Sequence, residues 1–191
     1  MNNMPGLFSL FHKKARRADG SSQLQQSPAL KPESRFSKTD IAMLAVFILL
    51  GYFIRKALFV GMAYSDDYDY AQIAVMICDG RYNPVDIGRM NLYGWRFAMV
   101  FPLALCFMIF GSTSENIAAL WPLVASLGTA AALYPIGAKL FDSRTGLIAA
   151  ILHLLYPADI HFGTTVLTET PFNFLIALSM LFFVIGEDSR R

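Results

Sequence analysis

The feature that most constrains this chain is a series of five apolar runs that leave few places for charge. They occupy residues 40–63, 97–111, 117–141, 147–156 and 171–185. The 191 residues are 55% hydrophobic and only 16% charged, whereas about a quarter of the residues in a typical soluble domain are charged. The runs are continuous rather than alternating in polarity, which favours helices over strands in a bilayer. We therefore predict an all-α polytopic membrane protein with about four to five transmembrane helices.

A polar segment, residues 1–39, precedes the apolar runs. It is rich in Ser, Gln and Pro, and its basic residues are Lys13, Lys14, Arg16, Arg17, Lys31, Arg35 and Lys38. Such a composition cannot bury a core, so we predict a disordered tail. A basic segment beside a membrane span is typical of the cytoplasmic side. This favours a topology signal over a nucleic-acid-binding tail, and we expect no nucleic-acid partner.

The first apolar run contains two adjacent cations, Arg55 and Lys56. Charges inside a membrane span are costly, so both need an explanation. One interpretation is that the side chains extend to the outer interface and keep their charges in water. The other is that Arg55 or Lys56 faces a polar cavity that holds an anion. Thr39 or Asp40 can cap the start of this helix.

A polar loop, residues 64–96, separates the first two runs. Its first part, "SDDYDYAQIAVMIC", predicts an external amphipathic helix that Ser65 or Asp66 caps and that ends at Asp79-Gly80. The segment is too short to span a bilayer, so we expect it to lie along the interface. The second part, "GRYNPVDIGRMNLYGW", predicts an irregular loop that can contact a substrate.

Three carboxylates are candidates for chemistry: Asp66, Asp67 and Glu169. Asp66 and Asp67 open the external helix, and Glu169 precedes the helix that Pro171 begins. Acidic residues in the first turn of a helix stabilise its dipole, which accounts for all three without any catalytic role. Residue type alone therefore leaves both the capping and the catalytic interpretation open.

The order of these elements resembles the GT-C glycosyltransferases that use polyprenyl-phosphate sugars as donors. More narrowly, it resembles their bacterial members related to protein mannosyltransferases and the aminoarabinose transferase. The first external loop of that family opens with a D-[DE]-x-x-Y-x-x-x-A pattern, and a T-[DE] element follows later. The matching residues here are Asp66, Asp67, Tyr70, Ala74, Thr168 and Glu169. The resemblance covers residues 40–187, although many relatives have an arginine where this chain reads "IAALWP".

The resemblance implies the transfer of a sugar from a lipid phosphate to an acceptor, with inversion at the anomeric carbon. It makes Asp66, the leading acid, the general base, with Asp67 and Glu169 as supporting acids or contacts to a divalent metal. Metal dependence and the metal ligands stay open, because relatives differ. A lipid phosphate also needs cations. Tyr70 is kept among the candidates, although packing of the external helix accounts for it better than contact with substrate. The candidate substrate-binding residues are Arg55, Lys56, Tyr70, Arg81, Arg89 and Arg96.

A shared site requires Asp66 and Glu169 to lie on one side of the membrane. If all five apolar runs crossed, Glu169 would lie on the opposite side from Asp66. We predict that residues 147–156 resolve the conflict, because about ten residues give roughly 15 Å of helix against a core of about 30 Å. This run would be a half-span or re-entrant element, or one part of a broken crossing, with "KLFDSRTG" towards the cytoplasm.

The resulting prediction is a glycosyltransferase module of the bacterial inner membrane, residues 40–191, with its N-terminus cytoplasmic and its active-site loop external. Its expected partners are a polyprenyl-phosphate sugar, membrane lipid and, in one interpretation, a further membrane subunit. Two alternatives stay open: a non-catalytic relative that binds a lipid or a partner subunit, and a transporter or flippase of lipid-linked sugars. The sequence names neither the sugar nor the acceptor.

Overall fold

A computed structural model of the chain describes residues 37–83 and 96–188. These residues form helices and contain no strand, which confirms the all-α prediction. Nearly all of the predicted basic tail, and Arg89 in the first loop, lie outside the described residues. The helices are α1 Lys38–Ala57, α2 Ser65–Cys78, α3 Phe97–Phe110, α4 Glu115–Ala118, α5 Leu120–Leu140, α6 Ser143–Leu154, α7 Pro157–Phe162 and α8 Glu169–Asp188.

Two helical segments of the described chain are long and apolar enough to cross a membrane: Glu115–Leu140 and Glu169–Glu187. Helices α3 and α6 are apolar but shorter. The outer faces of the helices carry large apolar side chains. Val46 on α1 is 65% exposed and Phe183 on α8 is 72% exposed. Continuous apolar surfaces of this kind are unusual on soluble monomers and suit contact with lipid.

Helices α6 and α7 together run the full length of α1. At one end Ser143, the first residue of α6, hydrogen-bonds to Asp40 near the start of α1. At the other end the backbone N–H of Gly61, just after α1, donates to the carbonyl of Thr164, just after α7 (3.2 Å). We call this second end, where α1 ends and α8 begins, the site end. The 147–156 run is therefore part of a complete pass through the bundle, which α7 finishes.

The conflict over sides is resolved by α3, which begins and ends at the site end, while residues 147–156 form one part of a broken pass that α7 completes, as one of the predicted arrangements has it. Arg96, just before α3, contacts Thr168 at the site end (3.4 Å). Asn116, shortly after α3, accepts from Lys56 at the end of α1 (3.2 Å). The chain thus returns to the site end after α3, which packs against α2 instead of crossing. Its 14 residues span only about 21 Å. Asp66 and Glu169 consequently share one end of the bundle.

Helices α5 and α6 pack through glycines that bring their backbones into contact. A Cβ atom on Gly146 would lie 2.3 Å from the carbonyl oxygen of Tyr134, and one on Gly137 would lie 2.5 Å from the Cα of Gly146. Only glycine permits so close an approach, which is the usual way that membrane helices gain packing where no water drives them together. The turn between the two helices, with Lys139 and Arg144, lies at the end opposite the site end, where Ser143 meets the start of α1.

Arg55 lies inside the bundle and holds together four helices. Its guanidinium is fully buried. It donates to Ser126 of α5 (2.8 Å), to the Leu154 carbonyl of α6 (3.2 Å) and to the Asp159 carboxylate of α7 (2.6 Å). Ser126 also donates to the same Asp159 oxygen (2.5 Å). The predicted extension of Arg55 to the interface is therefore wrong, and the anion that it faces is a carboxylate of the chain itself.

The Arg55–Asp159 pair yields a prediction about stability. Arg55→Met leaves Asp159 buried without its cation, which costs about 3–5 kcal/mol in comparable cases. We expect a clearly lowered melting temperature of the detergent-solubilised chain. Arg55→Met combined with Asp159→Asn removes both charges and should recover part of the loss. Lys56→Met, on the neighbouring exposed residue, is the control and should change stability by no more than about 0.5 kcal/mol. Equal melting temperatures for Arg55→Met and Lys56→Met would contradict this role.

Candidate active site

Helix α2 is held at its start by Asp67. The Oδ2 atom of Asp67 accepts from the backbone N–H groups of Ala63 (2.9 Å) and Tyr64 (3.0 Å). Tyr64 is the N-cap residue, so the prediction that Ser65 or Asp66 caps the helix was wrong. The physical reason is that a carboxylate at the third helical position can reach back to the N–H groups before the first turn. Gly80 ends the helix at φ +68°, as the sequence predicted.

Asp67 is fully buried, and its Oδ1 atom has no hydrogen-bond partner among the described residues. Burial raises the pKa of this carboxyl above its usual value, and the charges of Asp66 and Glu169 raise it further, while the two backbone hydrogen bonds oppose the rise. A carboxyl in this position is out of reach of a substrate in the described conformation. Its visible role is to begin the helix; a catalytic role for Asp67 stays a prediction.

Asp66, by contrast, is half-buried and lies at the surface of the site end. The Ser65 hydroxyl donates to its Oδ1 atom (3.3 Å). Its charge is close enough to help raise the pKa values of both Asp67 and Tyr70, beyond the effect of their burial. Glu169 begins α8 and is exposed, and its charge also acts on Asp67. The structure therefore brings the three predicted carboxylates together, with Asp66 and Glu169 accessible.

Tyr70 anchors α2 on α3. It is fully buried, and it belongs to an apolar cluster with Ile73, Met99 and Leu103. Arg96 donates through Nη1 to the phenol oxygen of Tyr70, and its guanidinium lies 5.7 Å from the centre of the ring. The same Nη1 atom approaches Thr168 Oγ1 (3.4 Å). Arg96 thus links α2, the start of α3 and the segment before α8.

An apolar groove of about 440 Å³ lies beside Arg96, between the start of α3 and the start of α8. We call it the α3–α8 groove. It is lined by Arg96, Phe97, Ala98, Met99, Thr168, Pro171, Phe172 and Leu175. Arg96 is the charged residue of this lining, and the exposed rings of Phe97 and Phe172 border it. A groove with a cation and a hydroxyl at one end and apolar walls elsewhere suits an amphiphile with an anionic head.

The other predicted cations that the structure describes do not line this groove. Lys56 donates to Asn116 and lies over the ring of Phe59 (5.4 Å), while Arg55 is committed to Asp159. Arg81 pairs with Asp79 at the surface, just beyond the end of α2 that is opposite Asp66. Arg89 lies outside the described residues. Of the predicted substrate-binding residues, the structure places Arg96 and Tyr70 next to the acidic cluster.

One contact at the site end, between Tyr64 and His161, was not predicted from the sequence. The Tyr64 hydroxyl and His161 Nε2 lie 2.8 Å apart, which joins the segment before α2 to α7. Asp159 of the buried network was also overlooked. The signal was present, since Asp159 and His161 are polar residues that follow directly on an apolar run, and such residues in membrane proteins usually have a specific partner.

The described residues contain no group of three or more His, Cys, Asp or Glu side chains that could hold a metal ion.

The burial of Asp67 yields a prediction about pH. Because its pKa is raised in the folded state, the ionised carboxylate opposes folding at neutral pH, and protonation removes this penalty as the pH falls. Asp67→Asn keeps an oxygen acceptor for Ala63 and Tyr64 without the charge. We expect its melting temperature to equal or exceed that of the wild type at pH 7, with any advantage shrinking towards pH 4. A melting temperature below wild type at pH 7 that recovers on acidification would contradict this.

Comparison with known proteins identifies a family that resembles part of the chain. Residues 97–191 match the family model described as Dolichyl-phosphate-mannose-protein mannosyltransferase. No curated protein and no solved structure matches the chain. The matched segment contains Thr168, Glu169 and the groove-lining residues of α3 and α8, whereas the acidic residues of α2 precede it. Together with the apolar helices, the match confirms the resemblance drawn from the sequence: the chain is a GT-C glycosyltransferase-like membrane protein.

Proposed function

We propose that this chain transfers a sugar from a polyprenyl-phosphate donor to an acceptor hydroxyl at the site end of the bundle. The family match implies glycosyltransferase activity of the GT-C type in general. The observation that carries the finer proposal is that the charges of Asp66 and Arg96 both act on Tyr70, which places them in one neighbourhood, and that Arg96 lines the α3–α8 groove. A carboxylate that accepts a proton and a cation that binds a phosphate are the two groups that this reaction needs side by side.

In this proposal the donor lies with its polyprenyl chain in the α3–α8 groove and its phosphate on Arg96. The groove walls are apolar side chains of α3 and α8, including Phe172 and Leu175. Arg96 lies at the polar end, and an arginine binds a phosphate through short, charge-assisted hydrogen bonds. The developing negative charge on the leaving lipid phosphate would be stabilised by the same guanidinium.

Asp66 is the proposed general base. An acceptor hydroxyl must lose its proton as it attacks the anomeric carbon, and a carboxylate within hydrogen-bonding reach accelerates that step. Asp66 is accessible, whereas its neighbour Asp67 is buried and occupied with backbone N–H groups. Glu169 lies at the same end and would support binding of the acceptor or of a metal. Asp66 and Glu169 both act electrostatically on Asp67, so the three acids form one negatively charged cluster.

We further propose that the site end faces the outside of a bacterial inner membrane. Lys38, at the start of α1, and Lys139 and Arg144, in the turn between α5 and α6, lie at the opposite end of the bundle. The excess of Lys and Arg on the cytoplasmic side of membrane proteins supports this orientation. Four passes through the bilayer, made by α1, α5, the α6–α7 pair and α8, would leave both chain ends in the cytoplasm.

The first test of this function is the substitution Asp66→Asn. Removal of a general base lowers the rate of the chemical step by about 100-fold or more. The measurement is transfer of radiolabelled sugar from a polyprenyl-phosphate donor to candidate acceptors by the purified chain in lipid nanodiscs. Asp69→Asn, on the same helix, is the control and should retain most of the activity, because Asp69 is expected to be only a solvated charge.

Two results would contradict the assignment. Equal transfer by wild type and Asp66→Asn would exclude Asp66 as the base. Binding of the donor lipid without transfer to any acceptor tried would favour the non-catalytic lipid-binding alternative over the enzyme.

The second test is Arg96→Gln. Loss of a charge-assisted contact to the phosphate costs about 1.5–3 kcal/mol, which corresponds to an increase of about 10- to 150-fold in the KM for the donor. Arg81→Gln removes a surface arginine that pairs with Asp79 and should leave KM within about twofold. A KM for Arg96→Gln equal to that of Arg81→Gln would place the phosphate elsewhere.

A further inference from the structure

We infer that Tyr70 is a positioning residue, which fixes the Arg96 guanidinium so that it faces the lipid phosphate in the α3–α8 groove. This inference rests on the proposed function, because it assigns the role of one residue within the proposed donor site. It goes beyond both interpretations that the sequence offered for Tyr70, direct contact with substrate and packing of the external helix. A fully buried Tyr70 acts through another side chain.

The contact between Tyr70 and Arg96 has two parts that depend on different atoms. The phenol oxygen accepts a hydrogen bond from Nη1 of Arg96, and the ring face lies 5.7 Å from the guanidinium carbon. Thr168 adds a second neighbour to the same nitrogen and also hydrogen-bonds with the phenol. Contacts that converge on one end of a guanidinium restrict its rotation, and a restricted arginine loses less entropy when it binds an anion.

Tyr70 is itself rigidly placed. Its ring packs in the apolar cluster formed by α2, α3 and Val166, and it lies one turn after Asp67, which fixes the start of α2. Burial raises the pKa of the phenol, so the side chain stays neutral at physiological pH. A neutral phenol orients Arg96 without cancelling its positive charge, whereas a carboxylate at this position would compete with the phosphate.

The alternative is that Tyr70 only packs α2 against α3. The substitution Tyr70→Phe separates the two roles, because it keeps the ring and its packing and removes only the oxygen. A packing role predicts no change in ligand binding. A positioning role predicts weaker binding of a phosphate and unchanged binding of the same lipid without a phosphate.

The experiment measures binding of farnesyl phosphate and of farnesol to the full chain in detergent, followed by tryptophan fluorescence or native mass spectrometry. For Tyr70→Phe we expect an increase in the Kd of farnesyl phosphate of about three- to tenfold, the range for one lost hydrogen bond, with the Kd of farnesol unchanged. Tyr68→Phe, two residues away with its ring 57% exposed, is the matched control and should bind both lipids as the wild type does.

A double-mutant cycle completes the test. If Tyr70 acts through Arg96, the variant Tyr70→Phe/Arg96→Gln binds farnesyl phosphate no more weakly than Arg96→Gln alone. Additive losses, or an unchanged Kd for Tyr70→Phe, would overturn the inference. A wild type that does not bind farnesyl phosphate would overturn both the inference and the proposed donor site. Phosphate-specific binding with the expected coupling, but without sugar transfer, would support the inference and refute the proposed reaction alone.

Discussion

The buried ion pair between Arg55 and Asp159 is the interaction on which the rest of the bundle depends. Two charges inside a membrane protein are stable only when they are paired and hydrogen-bonded. Ser126 and the Leu154 carbonyl add hydrogen bonds to Arg55 here, and Ser126 also donates to the paired oxygen of Asp159, whose Oδ1 atom has no hydrogen-bond partner among the described residues. These residues come from four helices. The need to pair the buried charge of Arg55 therefore holds α5, α6 and α7 against α1. Gly163 adjoins the network, and a Cβ at that position would lie 3.1 Å from Arg55 Nε.

The candidate site follows from this arrangement. Asp159 holds α7 at the end of α1, and His161, two residues later, meets Tyr64 just before α2. The segment after α7 then pairs with Gly61 and delivers Thr168 to Arg96. The acids of α2, the cation before α3 and the first residue of α8 are thus brought to one place by contacts between residues about a hundred positions apart in the chain.

The acidic residues of α2 show how environment separates side chains of the same type. Asp67 points inwards, caps the helix and has a raised pKa, whereas Asp66 lies at the surface beside Glu169. Tyr70 points into the apolar core and reaches Arg96. Because one face of α2 is buried, consecutive residues of the motif differ in exposure: Asp67 is buried and Asp66 is accessible. Asp66, the accessible acid, is also the leading acid of the GT-C motif and is the one proposed as the base.

Much of this could be predicted from the sequence. The length and apolar character of the runs determined an all-helical membrane fold, since backbone polar groups in lipid must be satisfied within the segment. The motif residues at 66–74 and 168–169 indicated the family and named Asp66, Glu169 and Arg96 among the candidates. The return of the chain to the site end after α3, the partner of Arg55 and the separate environments of Asp66 and Asp67 were decided only by the tertiary structure. Each depends on contacts between distant segments, and neither hydropathy nor local spacing records which side chains those contacts bury.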